Sequence, residues 1–111
     1  MIEFADFGRV DMRVGRIVDV RPFPEAHKPA YQLRIDFGPE FGERQCSAQL
    51  TVTYPDPSTL IDRQVVAVVN LSPRSIAGFA SEVLVLGAMG EAGQVWLLQP
   101  GPAAPVGARI G

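Results

Sequence analysis

An all-β fold, a small barrel or sandwich of short strands, is predicted by three features of this sequence. Apolar and polar residues alternate over several runs of strand length. Glycine and proline, 11 and 10 of the 111 residues, punctuate those runs, and no long segment carries a helical period. With 47% hydrophobic residues, the chain suffices for one domain, residues 1–111, with a modest buried core.

Residues 2–10 are weakly patterned, with Phe4 and Phe7 spaced to share one face of a short turn or helix. In the first strand, Met12 to Val20, the residues Met12, Val14, Val18 and Val20 alternate with Arg13, Gly15, Asp19 and Arg21. Gly15 inside it implies a bulge or sharp bend, and bending a long first strand is how a small barrel closes. Pro22 to Pro29 is a loop, because Pro22, Pro24 and Pro29 break any ladder. Tyr31, Leu33, Ile35 and Phe37 mark a second strand and Arg44, Cys46, Ala48 and Leu50 a third, joined as a hairpin through Gly38–Gly42. Tyr54-Pro-Asp-Pro-Ser58 stops that strand, and Ser58 is positioned to N-cap a short helical turn through Asp62. Gln64–Leu71 and Val83–Leu86 are the fourth and fifth strands. A turn at Gly90–Gly93 leads into Gln94–Gln99, Pro100–Pro105 is extended or loop-like, and Val106–Ile110 forms a last short strand. Five core strands with a helical turn before the fourth fit an OB-fold, among other small barrels.

The net charge of −2 and pI near 5.3 argue against a strong general nucleic-acid binder. Residues 9–34 nevertheless hold Arg9, Arg13, Arg16, Arg21, Lys28 and Arg34 against Asp11, Asp19 and Glu25, either a local basic face or a solvated surface. No apolar run is long enough to span a bilayer, so no membrane insertion is expected. Glu3 and Asp6, without a basic stretch, do not make a signal peptide. A lone Cys46 excludes an internal disulfide and is compatible with a reducing cytoplasm.

Catalysis finds little support. His27 stands alone in a proline-flanked loop, Cys46 occupies an inward strand position, and no cluster has metal-ligand spacing. Scattered single glycines make no phosphate cradle, so neither enzyme nor cofactor is expected. Binding finds more. From Gln64 to Ser81 the one charge is Arg74, in a polar stretch containing Asn70, Ser72, Ser75, Gly78 and Ser81. Its partner is either a ligand or a local carboxylate such as Glu82. Binding of single-stranded nucleic acid would draw on Arg13, Arg34 and Arg74 for phosphate and on Tyr31, Phe37 and Phe79 for stacking. Tyr31 and Phe37 share parity with Leu33 and Ile35, which equally places them in the core. Phe79, beside Gly78, is either pocket wall or buried.

Asn70-Leu-Ser-Pro-Arg-Ser-Ile-Ala-Gly-Phe-Ala-Ser81 resembles the Asn-Leu-x-Pro-x-x-x-x-Gly-x-x-Ser stretch of the tRNA-binding-domain family. Its continuation through Glu82-Val-Leu-Val-Leu-Gly87 is similar to the secretion-chaperone branch of that family, the CsaA group. Asp11-Met-Arg-Val-Gly-Arg-Ile17, Phe23-Pro-Glu-Ala26, Ile35-Asp-Phe-Gly38, Cys46-Ser-Ala-Gln49 and Leu97-Leu-Gln-Pro100 match in family order along nearly the whole chain. The resemblance implies an OB-fold core at about residues 12–87 and a cytoplasmic homodimer built through extensions 1–11 and 88–111. Phe4, Phe7, Trp96 and Leu98 are then interface candidates, with core burial the alternative for Trp96 and Leu98. It implies binding of unfolded or precursor polypeptides without ATP, with tRNA as the alternative partner. Candidate binding residues are Asn70, Arg74, Gly78, Phe79, Ser81, Glu82, Arg13 and Arg34, with Phe23 in a peptide pocket. Tyr31 and Phe37 remain stacking or core residues. In tRNA-binding members a Gly-Met pair follows the loop serine one residue on; here Glu82-Val83 follows Ser81, and the acidic side chain repels phosphate.

Overall fold

A computed structural model describes residues 1–111. The order of elements is α1 (Phe4–Gly8), β1 (Met12–Pro22), β2 (Tyr31–Asp36), β3 (Glu43–Ala48), a 3-10 turn (Pro57–Leu60), β4 (Gln64–Val68), β5 (Arg74–Ile76), β6 (Phe79–Ser81), β7 (Leu84–Val85), β8 (Gly87–Met89) and β9 (Val95–Leu97).

β1 is long because it serves two neighbours. Its first half, Met12–Arg16, pairs with β4, and its second half, Arg16–Pro22, pairs with β2. The five-stranded sheet runs β3-β2-β1-β4-β7, and β7 returns beside β3, so the sheet curls into the nearly closed barrel of an OB-fold. The expected irregularity of β1 is present but displaced: the register shifts between Ile17 and Asp19, not at Gly15. Gly15 is needed for a different reason. A Cβ there would lie 2.5 Å from Ile35 Cγ2 and 2.7 Å from Phe37 Cε1, so the glycine lets β2's side chains close over β1.

The inward parity of each strand makes the core: Ile17, Leu33, Ile35, Phe37, Cys46, Val65 and Ala67, joined by Leu50 and by Leu60 from the 3-10 turn. Asp56, not Ser58, caps that turn; its carboxylate accepts from Ser58 N–H at 3.0 Å and from Ser58 Oγ at 2.7 Å, which lowers the Asp56 pKa. Ser58 thus donates to the cap while lying inside the turn. The expected last strand shrinks to a single bridge, Arg13–Arg109. The tail still docks on β1, through Val14 N–H to Ala108 O at 3.0 Å and Ile110 N–H to Met12 O at 2.9 Å.

Two further differences concern the stretch after β4. The fourth strand ends at Val68 rather than Leu71, because Asn70 turns its side chain to the segment before β1. There its Oδ1 accepts from Asp11 N–H at 2.9 Å and its Nδ2 donates to Arg9 O at 2.7 Å. The polar stretch beyond is not open loop but a hairpin, β5–β6, closed by Ala77 (φ 49°) and Gly78 (φ 82°). Positive φ at both central positions suits the right-handed twist of a two-residue hairpin, and Gly78 adopts it without strain. Serine and alanine at alternate positions hide so short an alternation in the sequence.

Candidate functional site: the outer face of strands two and three

Two connections meet on the outside of the barrel. The β1–β2 loop, residues 23–30, brings Phe23, and the β5–β6 hairpin brings Phe79; their rings meet edge-on with centroids 5.4 Å apart. Phe23 is 4% exposed, so most of its ring braces Phe79, and its remaining edge helps line a recess of about 380 Å³ with Pro24, His27, Tyr31 and Thr51. In OB-folds this sheet face and these two connections are the surfaces that take extended ligands.

The hairpin is held there by groups that β3 leaves unpaired. β3 is a sheet edge, and the N–H groups of Gln45 and Ser47 point away from β2. Glu82 Oε1 accepts from Gln45 N–H at 3.0 Å and Ser81 Oγ accepts from Ser47 N–H at 3.0 Å. Glu82 N–H donates to Gln45 O at 2.9 Å, and Gln45 Nε2 donates to Ala80 O at 2.9 Å. The Ser81-Glu82 pair therefore satisfies a strand edge and fixes the hairpin to it. It also settles the partner of Arg74: the Glu82 carboxylate is turned to Gln45, and Arg74 makes no ion pair.

Further recesses lie beside the hairpin. One is lined by Asp19, Arg21, Gln32, Arg34, Gln45 and Phe79, and its cations are already paired, Arg21 with Asp19 at 2.9 Å and Arg34 with Glu43 at 2.9 Å. The Arg21 hydrogen bond holds the Asp19 carboxyl below its ordinary range. The second, about 260 Å³, is lined by residues of the 23–30 loop, by Ser47 and Gln49, and by Arg74 and Ile76. Arg74 and Lys28 are exposed there and no carboxylate pairs with either. Leu71, Glu82, Val83 and Leu84 extend this groove along the other side of Arg74 and Ile76.

The fold thus brings together Phe23, Gly78, Phe79, Ser81, Glu82, Arg74 and Arg34. It places Asn70 and Arg13 elsewhere. Arg13 donates to Asp11 at 2.7 Å and to Gly107 O at 3.2 Å and lies 4.6 Å over the Phe41 ring, clamping the C-terminal tail to the barrel. Its pKa is raised chiefly by the Asp11 hydrogen bond. Tyr31 and Phe37 are buried and unable to stack on a base; the Tyr31 hydroxyl donates to Tyr54 O at 2.8 Å. Sequence reasoning missed Lys28 and Ile76 as groove residues. The lone lysine of the chain, set among three prolines, was the available signal.

Cys46 is fully enclosed, and burial, followed by the nearby Glu82 charge, pushes its thiol from 9.0 up to about 12. The thiolate is the reactive form, so the native protein is expected to resist alkylation at pH 8 and to react once unfolded, as mass spectrometry after iodoacetamide would show. Because the folded pKa is raised, the thiol's contribution to stability is full below pH 9 and declines as pH rises from 9.0 toward about 12. No group of three or more His, Cys, Asp or Glu comes close enough to hold a metal.

The family description “Putative tRNA binding domain” matches residues 12–109. The chain belongs to the tRNA-binding-domain family. Among solved structures, the chaperone CsaA of Bacillus anthracis is 50% identical, with TM-score 0.93 over 100% of this chain and 99% of that one. CsaA of Picrophilus torridus is 45% identical, with TM-score 0.92 over all of both chains. These whole-chain likenesses set the chain in the CsaA branch of the tRNA-binding-domain family. The methionine–tRNA ligase of Nitrosomonas eutropha is 39% identical over 109 residues, which are 98% of this chain and 15% of the ligase. The chain thus spans about 15% of the length of such curated relatives, and the likeness to them is that of one tRNA-binding domain.

Proposed function

We propose that this CsaA-type domain binds unfolded, export-destined polypeptides, non-covalently and without ATP, in the groove between the 23–30 loop and the β5–β6 hairpin. One observation carries the reading: Ile76 lines the recess that holds exposed and unpaired Arg74 and Lys28, and its hairpin partner Phe79 packs on Phe23. Such a surface suits a chain of mixed apolar and acidic residues. The solved neighbours that cover the whole chain are named chaperones. The lone reduced thiol suits a cytoplasmic protein, and no helix is long and apolar enough to cross a membrane.

The family supports tRNA as a second reading. Against it stand the net charge of −2, the pairing of Arg21 and Arg34 with carboxylates, and the Glu82 carboxylate beside the groove. Anisotropy titrations of a labelled presequence-like peptide and of labelled tRNA, each at low and moderate salt, separate the two. Saturable peptide binding that persists in salt is expected, and Phe79→Ala should weaken it roughly tenfold by removing apolar contact area. Salt-steep tRNA binding that Arg74→Ala weakens, with no peptide binding, would replace the polypeptide reading.

Extensions 1–11 and 88–111 are proposed to form a homodimer. Phe4 is 87% exposed and Trp96 50%, with Phe7 and Leu98 also open, while Leu97 of the same β9 strand is in the core. Unpartnered aromatics of this size suit an interface, and a twofold pair would present two grooves to one long client. Light scattering should give a dimer mass that Trp96→Asp converts to a monomer mass; a wild-type monomer at micromolar concentration would dismiss the interface.

A further inference from the structure

The backbone of the hairpin points to how a client is held. β5 pairs with β6 and with no other strand. Ile76 and Phe79 flank a two-residue turn and so form a hydrogen-bonded pair; Ser75 and Ala80, one step on, form a non-hydrogen-bonded pair. The N–H and C=O of Ser75 therefore point away from β6. Ser75 is exposed, and no backbone hydrogen bond from outside the hairpin reaches it. Nearby edges are treated differently. Ser81 and Glu82 cover β3, and residues 107–110 cover the first half of β1. β5 alone among these keeps an open edge, and the two recesses beside the hairpin are both lined by Ser47 and by the residues that flank Ser75, Arg74 and Ile76.

We infer that an extended polypeptide segment bearing an acidic side chain adds to the edge of β5 as a further strand, pairing with the backbone of Ser75 while its carboxylate meets Arg74 or Lys28. This rests on the polypeptide-binding reading above and names its mode of recognition. Charge selects the occupant. The recess between the 23–30 loop and β5 has no acidic lining residue, and Glu82, in the adjoining one, already accepts from Gln45 N–H. The pairing is short. Pro73 has no N–H to offer, and the chain turns away at Ala77, so Ser75 supplies most of the ladder. Backbone pairing is indifferent to side-chain identity, so a short ladder with one charge contact suits clients of varied sequence.

The test uses a labelled extended peptide with one aspartate among apolar residues. Ser75→Pro removes the outward donor at an edge position where proline is tolerated, and Ser75→Ala keeps it. Ser75→Pro is expected to weaken binding roughly tenfold and Ser75→Ala less than about twofold. In a second arm with unmodified protein, single backbone N-methylations along the peptide should weaken binding at alternate positions only. Replacing the peptide's aspartate by asparagine should also weaken it, a difference that Arg74→Ala abolishes. Saturable binding indifferent to N-methylation and to Ser75→Pro would overturn strand addition while leaving the polypeptide reading intact. Absence of any saturable peptide binding to the wild type would overturn both.

Discussion

Phe37→Ala is expected to lower the stability of the barrel by about 3–5 kcal/mol. Phe37 lies just past the end of β2, is 0% exposed, and packs in the central cluster with Ile17, Ile35 and Leu60. Removing its ring costs the transfer free energy of the buried carbons and leaves a cavity that three short strands cannot collapse around. Its backbone also anchors the β2–β3 turn, with Phe37 N–H donating to Gly42 O at 3.0 Å. In thermal unfolding the loss should appear as a fall in Tm of roughly 15–25 °C. At a temperature where the variant is still folded, its peptide affinity should match that of the wild type, the opposite of Phe79→Ala. A stable Phe37→Ala protein with lost binding would return Phe37 to the ligand-contacting surface, where its aromatic character alone had suggested a stacking role.

Gly15→Ala is the second large effect, about 1–3 kcal/mol of destabilisation through overpacking. The added methyl would overlap Ile35 Cγ2 at 2.5 Å and Phe37 Cε1 at 2.7 Å, and both of those side chains are fully buried. Relief requires moving β1 away from β2 or driving Phe37 from its rotamer. Gly8→Ala is the matched control: nothing lies within 4 Å of that added carbon, so it is expected to leave urea unfolding unchanged or to stabilise slightly. Equal midpoints for the Gly15 and Gly8 variants would show that the contact of β2 with β1 is slack.

Much of the fold was legible because strand periodicity is local. Leu33 and Ile35 alternate with Gln32 and Arg34, and the former are buried while the latter line the outer face. Cys46 shares the same inward parity on β3 and is enclosed. Short elements were less legible. β5 and β6 are three residues each and carry serine and alanine where a longer strand would carry valine or isoleucine, so alternation had too few positions to register. Cap identity failed for a related reason: Asp56 and Ser58 are both good N-caps, and the Pro57 between them starts the turn two residues earlier than a Ser58 cap would.

The candidate site was legible as a segment but not as a set of roles. Asn70, Arg74, Ser81 and Glu82 look alike in sequence, as polar residues in one stretch. The fold gives Asn70 to the segment before β1 and Ser81 and Glu82 to the edge of β3, and leaves Arg74 unpaired. Sequence by itself determined the longer barrel strands, their inward faces and the family, because each depends on residue spacing along the chain. Tertiary structure alone decided which polar groups remain free to bind. Ser81 and Ser47 lie 34 positions apart, and barrel closure is what makes them partners. A buried-edge N–H must find an acceptor, and which residue supplies it is a property of the closed fold rather than of any local pattern.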